Sequence, residues 1–269
     1  MFAGGRVVMS ETIATDNTYR ALGVALTVAF ICALLVSAVS VGLRPLQKAN
    51  VEAERIAQLE LVLGALSDIG RSLSIEGLEA RIVELGSGVY DGSIDVSTFD
   101  AETAAGKPGS SVAIPADLDV AGIKRRARHA RIYLVRDAAD RIELIILPVY
   151  GRGYQSTLRA WLVLDGDTRT VRALKFYQHG ETPGVGARIE EPAWEVQWRD
   201  LPAYDHEGVL RIGVRLHAGA DDYSAFKVDG ISGATRTAQG VDGMMRFWLG
   251  EFGFAPYLQR IREERADAG

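Results

Sequence analysis

Nine consecutive residues, Asp229-Gly230-Ile231-Ser232-Gly233-Ala234-Thr235-Arg236-Thr237, interleave hydroxyls with the smallest side chains directly ahead of a predicted helix. That pattern suits an anion. Ser232, Gly233, Ala234 and Thr235 leave room for a ligand against the backbone, and amides at a helix N-terminus face a phosphate. No Gly-Lys-Ser/Thr follows, so a Walker loop is excluded. Composition alone favours a turn closed by a threonine helix cap for the same residues. A second stretch, Phe176-Tyr177-Gln178-His179-Gly180-Glu181-Thr182-Pro183-Gly184-Val185-Gly186, follows a predicted strand. By itself its Glu-Thr-Pro-Gly core reads as a surface turn. A third, Pro148-Val149-Tyr150-Gly151-Arg152-Gly153-Tyr154-Gln155-Ser156, sets two glycines around Arg152.

Other chemistries find little support. Cys32 is the one cysteine, so this chain alone builds no disulfide, no cysteine-ligated iron–sulfur cluster and no CxxC redox motif. His129, His179, His206 and His217 lack the close pairing of a zinc-binding helix, and no metal site is expected. There is no Gly-x-Ser-x-Gly elbow for a hydrolase and no Gly-x-Gly-x-x-Gly after a strand for a dinucleotide. Redox chemistry here therefore needs an organic cofactor.

The motif D-G-x-S-G-A-T-x-T resembles, unbroken over nine positions, the flavinylation motif of the FMN-binding domains of sodium-pumping NADH:quinone reductases and their relatives. The resemblance implies that Thr237 carries FMN through a phosphoester, that Thr235 holds the inner, unmodified position, and that a flavin transferase moves FMN from FAD to the hydroxyl. The second stretch resembles the family's FYEHGETPGLG, which implies that Glu181, Thr182 and Val185 contact the flavin ring and ribityl chain while Pro183 and Gly184 shape the turn. His179 is assigned no role. The third resembles the family's G-x-G-apolar-W-S segment but departs from it at Gln155, where an indole is expected; neighbouring Tyr154 is the residue left to shield the isoalloxazine. The exit Leu43-Arg44-Pro45-Leu46-Gln47 is similar to the family as well.

Within this family, the HGETPGVG turn and the long segment before the sheet are similar to the C-type subunits of the sodium-translocating enzyme. They are less similar to the G-type subunits of ferredoxin:NAD oxidoreductases. The resemblance implies a one-electron relay, inactive alone, that takes an electron from an iron–sulfur centre of neighbouring membrane subunits. It passes that electron to a second covalent FMN in a complex oxidising NADH and reducing ubiquinone. Sodium export falls to those partner subunits, because the apolar segment described below carries no carboxylate. A flavin-free, membrane-anchored extracytoplasmic scaffold is the competing reading, and loss of Thr237 or Gly233 would have favoured it.

The elements that position these residues follow from patterning. The chain has 269 residues, 48% of them hydrophobic, enough for one sizeable domain beyond an anchor. From Ala21 to Leu43 there is no charge, and at about 1.5 Å per residue the stretch spans a hydrocarbon core of about 30 Å. It is longer than the apolar region of a signal peptide and is read as a retained transmembrane helix in the bilayer. Arg6 and Arg20 before it face Arg44, Lys48 and Arg55 after it, so charge does not orient it. A single-pass inner-membrane protein of a bacterium, its FMN domain periplasmic, is adopted from the usual arrangement of such anchors. The net charge of −5 gives no reason to expect nucleic acid, and the run Lys124–Arg131 is read as a solvated face.

Residues 1–20 are thus a short tail and 21–43 the membrane helix. Residues 44–85 form a helical connector, 86–129 an irregular segment packed on the domain, and 130–269 the FMN-binding domain. Strands are expected at Arg131–Arg136, Ile142–Tyr150, Leu158–Leu164 and Val171–Tyr177, the last two closing a hairpin at Asp165-Gly166-Asp167, with a further run at Val209–Leu216. Helices are expected at Val241–Phe254 and Tyr257–Glu264. The fold class is α+β, mostly antiparallel sheet with flanking helices.

Overall fold

The computed structural model describes residues 12–67, 77–216 and 223–267. His217 lies outside them, as do residues 68–76 of the expected helical connector. Two compact units are present, Met1–Ala57 and Gln58–Gly269. The first is the N-terminal part of helix α1 (Thr12–Ser67). Its Tyr19–Leu43 stretch is long and apolar enough to cross a bilayer, with none of its window buried within the protein.

In the second unit the chain runs through β1 (Leu78–Glu84), α2 (Ala101–Ala105), β2 (Ser111–Ala113), β3 (Arg125–Ala127), β4 (His129–Arg136), β5 (Ile142–Arg152), β6 (Thr157–Asp165) and β7 (Thr170–Gln178). It continues through α3 (Pro192–Glu195), β8 (Leu201–Pro202), β9 (Gly213–Arg215), β10 (Lys227–Asp229), α4 (Thr235–Trp248) and α5 (Ala255–Asp267). Six strands make an antiparallel sheet in the order β1-β4-β5-β6-β7-β8. The β6–β7 hairpin forms where the Asp-Gly-Asp turn predicts it.

Both faces of the sheet are covered, which is why its central strands read as near-continuous apolar runs. Ile132, Leu134, Ile145, Leu147, Leu162 and Leu164 point to one face, under α4 and α5. Tyr133, Val135, Leu144, Ile146, Trp161 and Val163 point to the other, where Leu59, Val62 and Leu63 at the end of α1 cover them. Strand alternation thus sorts neighbouring residues into two cores. Each fully buried side chain of this size contributes about 1.5–3 kcal/mol of transfer free energy.

Four expectations need correction. Of the expected helical connector, residues 44–67 are helix within α1, whereas Leu78–Glu84, helix-like by composition, is a strand because it pairs with β4 from Leu78↔Val135 to Glu84↔His129. The segment 86–129 is less irregular than expected, holding α2 and the β2–β3 pair. The basic run is a solvated face only in part: Lys124, Arg125 and Arg128 are exposed, but the run straddles β3 and β4, and pairing buries Arg126 and Arg131. Arg126 donates to the Ala127 carbonyl at 2.9 Å, and Arg131 bonds to the Phe99 carbonyl. The run at Val209–Leu216 shrinks to β9, paired in parallel with β10, because Asp205 accepts the amides of Glu207 and Val209 and the guanidinium of Arg211, holding the preceding chain as a loop.

Candidate functional site

The Asp229–Thr237 motif enters from β10, turns at Gly233 with φ +80°, and becomes helix at Thr235. Sequence patterning starts that helix at Val241; it begins six residues earlier, so Thr235 and Thr237 occupy its first turn. Ala234 is the N-cap residue and supplies no side-chain bond to the free amides. The threonine-cap alternative therefore does not apply, and the first-turn donors keep their capacity for an anion.

Thr237 is 2% exposed, and its Oγ1 donates a 2.5 Å hydrogen bond to Oε2 of Glu181, itself 4% exposed. The other carboxylate oxygen, Oε1, accepts the main-chain amides of Gln155 at 2.9 Å and Ser156 at 3.3 Å. Ser156 Oγ accepts the Gly180 amide at 2.6 Å, so the turn after β5 and the turn after β7 are tied together. The three stretches that stood out in the sequence thus meet at one point.

That meeting requires glycine. A Cβ on Gly153 would lie 2.6 Å from Oε1 of Glu181, and a Cβ on Gly186 would lie 2.7 Å from Oγ1 of Thr237. Side chains at either position would displace the carboxylate or the hydroxyl. In sequence both glycines read only as parts of turns; their G-x-G spacing was the signal available. His179, left without a role, accepts the Glu181 amide on Nδ1 at 3.1 Å and faces Glu190 Oε1 with Nε2 at 3.1 Å, which holds the entry of the turn. Accepting at Nδ1 places a neutral ring's proton on Nε2.

The other candidates lie on the surface around the buried pair. Ser232, Gly233 and Thr235 are exposed on the motif, with Ala234 buried beneath them. Thr182 and Val185 are exposed on the facing turn, where the Thr182 carbonyl accepts the amides of Val185 and Ala187 at 3.1 Å each. Glu181 alone among the turn candidates is directed inward. Tyr154 is 51% exposed, and the Arg236 guanidinium stands 5.3 Å from its ring centre. At Gln155, the position of the expected indole, the main-chain amide meets Glu181 and the residue is exposed.

A second feature borders the motif. Arg188, Trp194, Gln197, Gly230, Ile231 and Ser232 line a hollow of about 160 Å³. Gln197 Oε1 accepts the Asp229 amide at 2.8 Å, pinning the motif's first residue to the segment after α3. Nearby, burial raises the Glu195 carboxyl, with the Lys175 ammonium at 2.8 Å opposing the shift. On β5 burial pushes the Tyr150 phenol up to about 12, which keeps it neutral at physiological pH.

Comparison with known proteins places the chain in a family. Residues 153–250, from the turn at Gly153 to the end of α4, match the FMN-binding domain family. The chain is 37% identical over 260 residues to the C-type subunit of the Na(+)-translocating NADH-quinone reductase of Pseudomonas aeruginosa, covering 93% of this chain and 98% of that one. It is 38% identical over 257 residues to the Yersinia pestis subunit of the same name, covering 92% and 94%. Among solved structures, NqrC of Shewanella oneidensis superposes with a TM-score of 0.64 at 30% identity, over 70% of this chain and 85% of that chain.

Proposed function

Because the chain belongs to the family of C-type subunits of the Na(+)-translocating NADH-quinone reductase, we propose that it carries FMN as a phosphoester on Thr237 and serves as a single-electron relay in that membrane complex. It is an FMN-carrying subunit of an oxidoreductase, anchored by the Tyr19–Leu43 helix. The observation that carries the covalent reading is the Thr237 hydroxyl in the first turn of α4, beside helix amides that no side chain caps.

The residues present fit a flavin phosphate. A dianionic or diester phosphate at a helix N-terminus gains about 0.3–1 kcal/mol from the helix dipole, besides its hydrogen bonds to the amides. Ser232, Gly233, Ala234 and Thr235 form the small-residue side of this position, with Gly233 in a left-handed conformation that larger residues resist. Thr182, Val185 and Tyr154, exposed around it, are the surface for the ribityl chain and ring. Once bound, the flavin supplies one-electron transfer, which no side chain of this protein provides. The chain's own contribution is to fix the position and the polarity around it.

Partners follow from the same reading. A flavin transferase is required to attach the group, and neighbouring subunits of the complex exchange electrons with it and move sodium. The domain is proposed to face the periplasm. An alkaline phosphatase fused after Gly269 tests the orientation: activity in intact cells supports it, and an inactive, stably produced fusion reverses it.

Attachment is tested on an unstained denaturing gel under ultraviolet light, after expression with a cognate flavin transferase. Wild type and Thr235→Val are expected to fluoresce and Thr237→Val to stay dark. A dark wild-type band, beside a control acceptor that is labelled by the same transferase, overturns covalent attachment; a fluorescent Thr237→Val band moves it to another residue.

A further inference from the structure

Thr237 Oγ1, Glu181 Oε2 and the two amides on Glu181 Oε1 form an ordered series: a hydroxyl, a carboxylate 2.5 Å from it, and fixed donors that orient the carboxylate. A nucleophile within hydrogen-bond reach of a base that a third group orients is the arrangement found where a weak hydroxyl is activated. We propose that Glu181 is the proton acceptor for Thr237 during flavin attachment, so that half of the catalytic apparatus for this modification is built into the acceptor protein. This rests on the reading of Thr237 as the attachment site.

The step balances without redox change. The Thr237 oxygen attacks the flavin-side phosphorus of FAD held by the transferase with its divalent cation. The new oxygen–phosphorus bond forms as the pyrophosphate bond breaks, AMP leaves with the bonding electrons, and the hydroxyl proton passes to Oε2 of Glu181. A threonine hydroxyl is a poor nucleophile while it keeps its proton, and a positioned base typically contributes about 10²- to 10⁴-fold.

Burial explains why the base belongs to this chain. The hydroxyl is buried, with Gly186 so close that a Cβ there would lie 2.7 Å from the oxygen, and phosphorus reaches it only if the surroundings open. Glu181 is held independently of the Gly186 turn, its second oxygen accepting the Gln155 and Ser156 amides of a different turn. Among the described residues, none of the charged or titratable side chains on the surrounding segments bonds to the Glu181 carboxylate. His179 lies between the Glu181 amide and Glu190, Arg236 over Tyr154, and the Arg152 side chain beside Gly122. Among the described residues, the only side chain bonded to the Glu181 carboxylate is Thr237.

The test is the rate of covalent flavin incorporation into purified full-length apoprotein, with purified transferase, FAD and Mg²⁺, followed by gel fluorescence and by intact mass. Glu181→Gln is expected to label about 10²- to 10⁴-fold more slowly than wild type at neutral pH. The ratio of the two rates is expected to narrow as the pH is lowered, because protonation disables a carboxylate base while the transferase's own pH dependence cancels. A purely structural role would slow labelling by the same factor at every pH. Should Glu181→Gln lose the cooperative melt of wild type, Glu181→Asp is compared in its place: it keeps a carboxylate at a greater distance and is expected to be slow with the pH dependence retained. Equal rates for a folded variant and wild type, a wild-type to Glu181→Gln ratio independent of pH, or a Glu181→Asp rate that does not fall together with wild type as the pH drops, overturn the proposal. Wild-type labelling lost in Thr237→Val but unaltered in Glu181→Gln sinks only the role of Glu181; labelling that survives Thr237→Val sinks the attachment site with it.

Discussion

The Nε1–H of Trp194 donates a 2.8 Å hydrogen bond to the main-chain carbonyl of Asp229, fastening the first residue of the Asp229–Thr237 motif to α3. The indole is buried between Trp198, with ring centres 5.5 Å apart, and Phe176, at 6.4 Å. Trp194→Phe keeps most of that packing and removes the donor, leaving a carbonyl short of a partner. A loss of about 1–3 kcal/mol is expected in urea unfolding. An unchanged midpoint and slope would show that this bond does not hold the motif.

Gly186→Ala brings a Cβ to 2.7 Å from Thr237 Oγ1 and 2.9 Å from Glu181 Cβ. Overpacking of this kind costs about 1–3 kcal/mol. Thermal unfolding should therefore shift downward, and flavin labelling should slow although Thr237 and Glu181 are both intact. A variant that melts with wild type and labels at its rate would mean the turn relaxes without cost.

Leu63, 4% exposed, packs at the end of α1 within the cluster that contains Trp161 and Tyr133. Leu63→Ala is expected to cost about 2–5 kcal/mol and to alter the tryptophan emission of the folded protein. An effect below about 0.5 kcal/mol, the range of exposed positions, would remove α1 from the list of elements that stabilise the sheet.

Glu79 on β1 accepts the Arg136 Nε of β4 at 2.7 Å, and that hydrogen bond is the main reason its carboxyl titrates below the usual carboxylate range. A depressed folded-state pKa contributes stability that is fully present above the unfolded value, near pH 4.3, and is lost as pH falls through the lower folded value. The urea midpoint should thus drop in acid more for wild type than for Arg136→Met. The pair is about one-third exposed, so the difference should be small and should shrink in salt. Equal acid sensitivity in the two proteins would assign the effect elsewhere.

Local sequence determined much of this protein because the relevant forces act locally. The uncharged Ala21–Leu43 stretch dictates an apolar helix, alternating apolar residues around Asp165-Gly166-Asp167 dictate the β6–β7 hairpin, and the small residues of the nine-residue motif stand at the start of a helix. Residues whose environment comes from distant chain were misjudged or left without a role. Leu78–Glu84 has helical composition but lies against β4, about fifty residues on, and pairing outweighs propensity. The Lys124–Arg131 run has the charge of a solvated face, yet strand pairing buries Arg126 and Arg131. Glu181 shows most clearly what tertiary structure decided. In sequence it belongs to a polar surface turn. In the fold its carboxylate is withdrawn from solvent, oriented by amides from the turn after β5, and set against a hydroxyl 56 residues away. No periodicity encodes that contact, because it exists only where three turns converge at the N-terminus of α4.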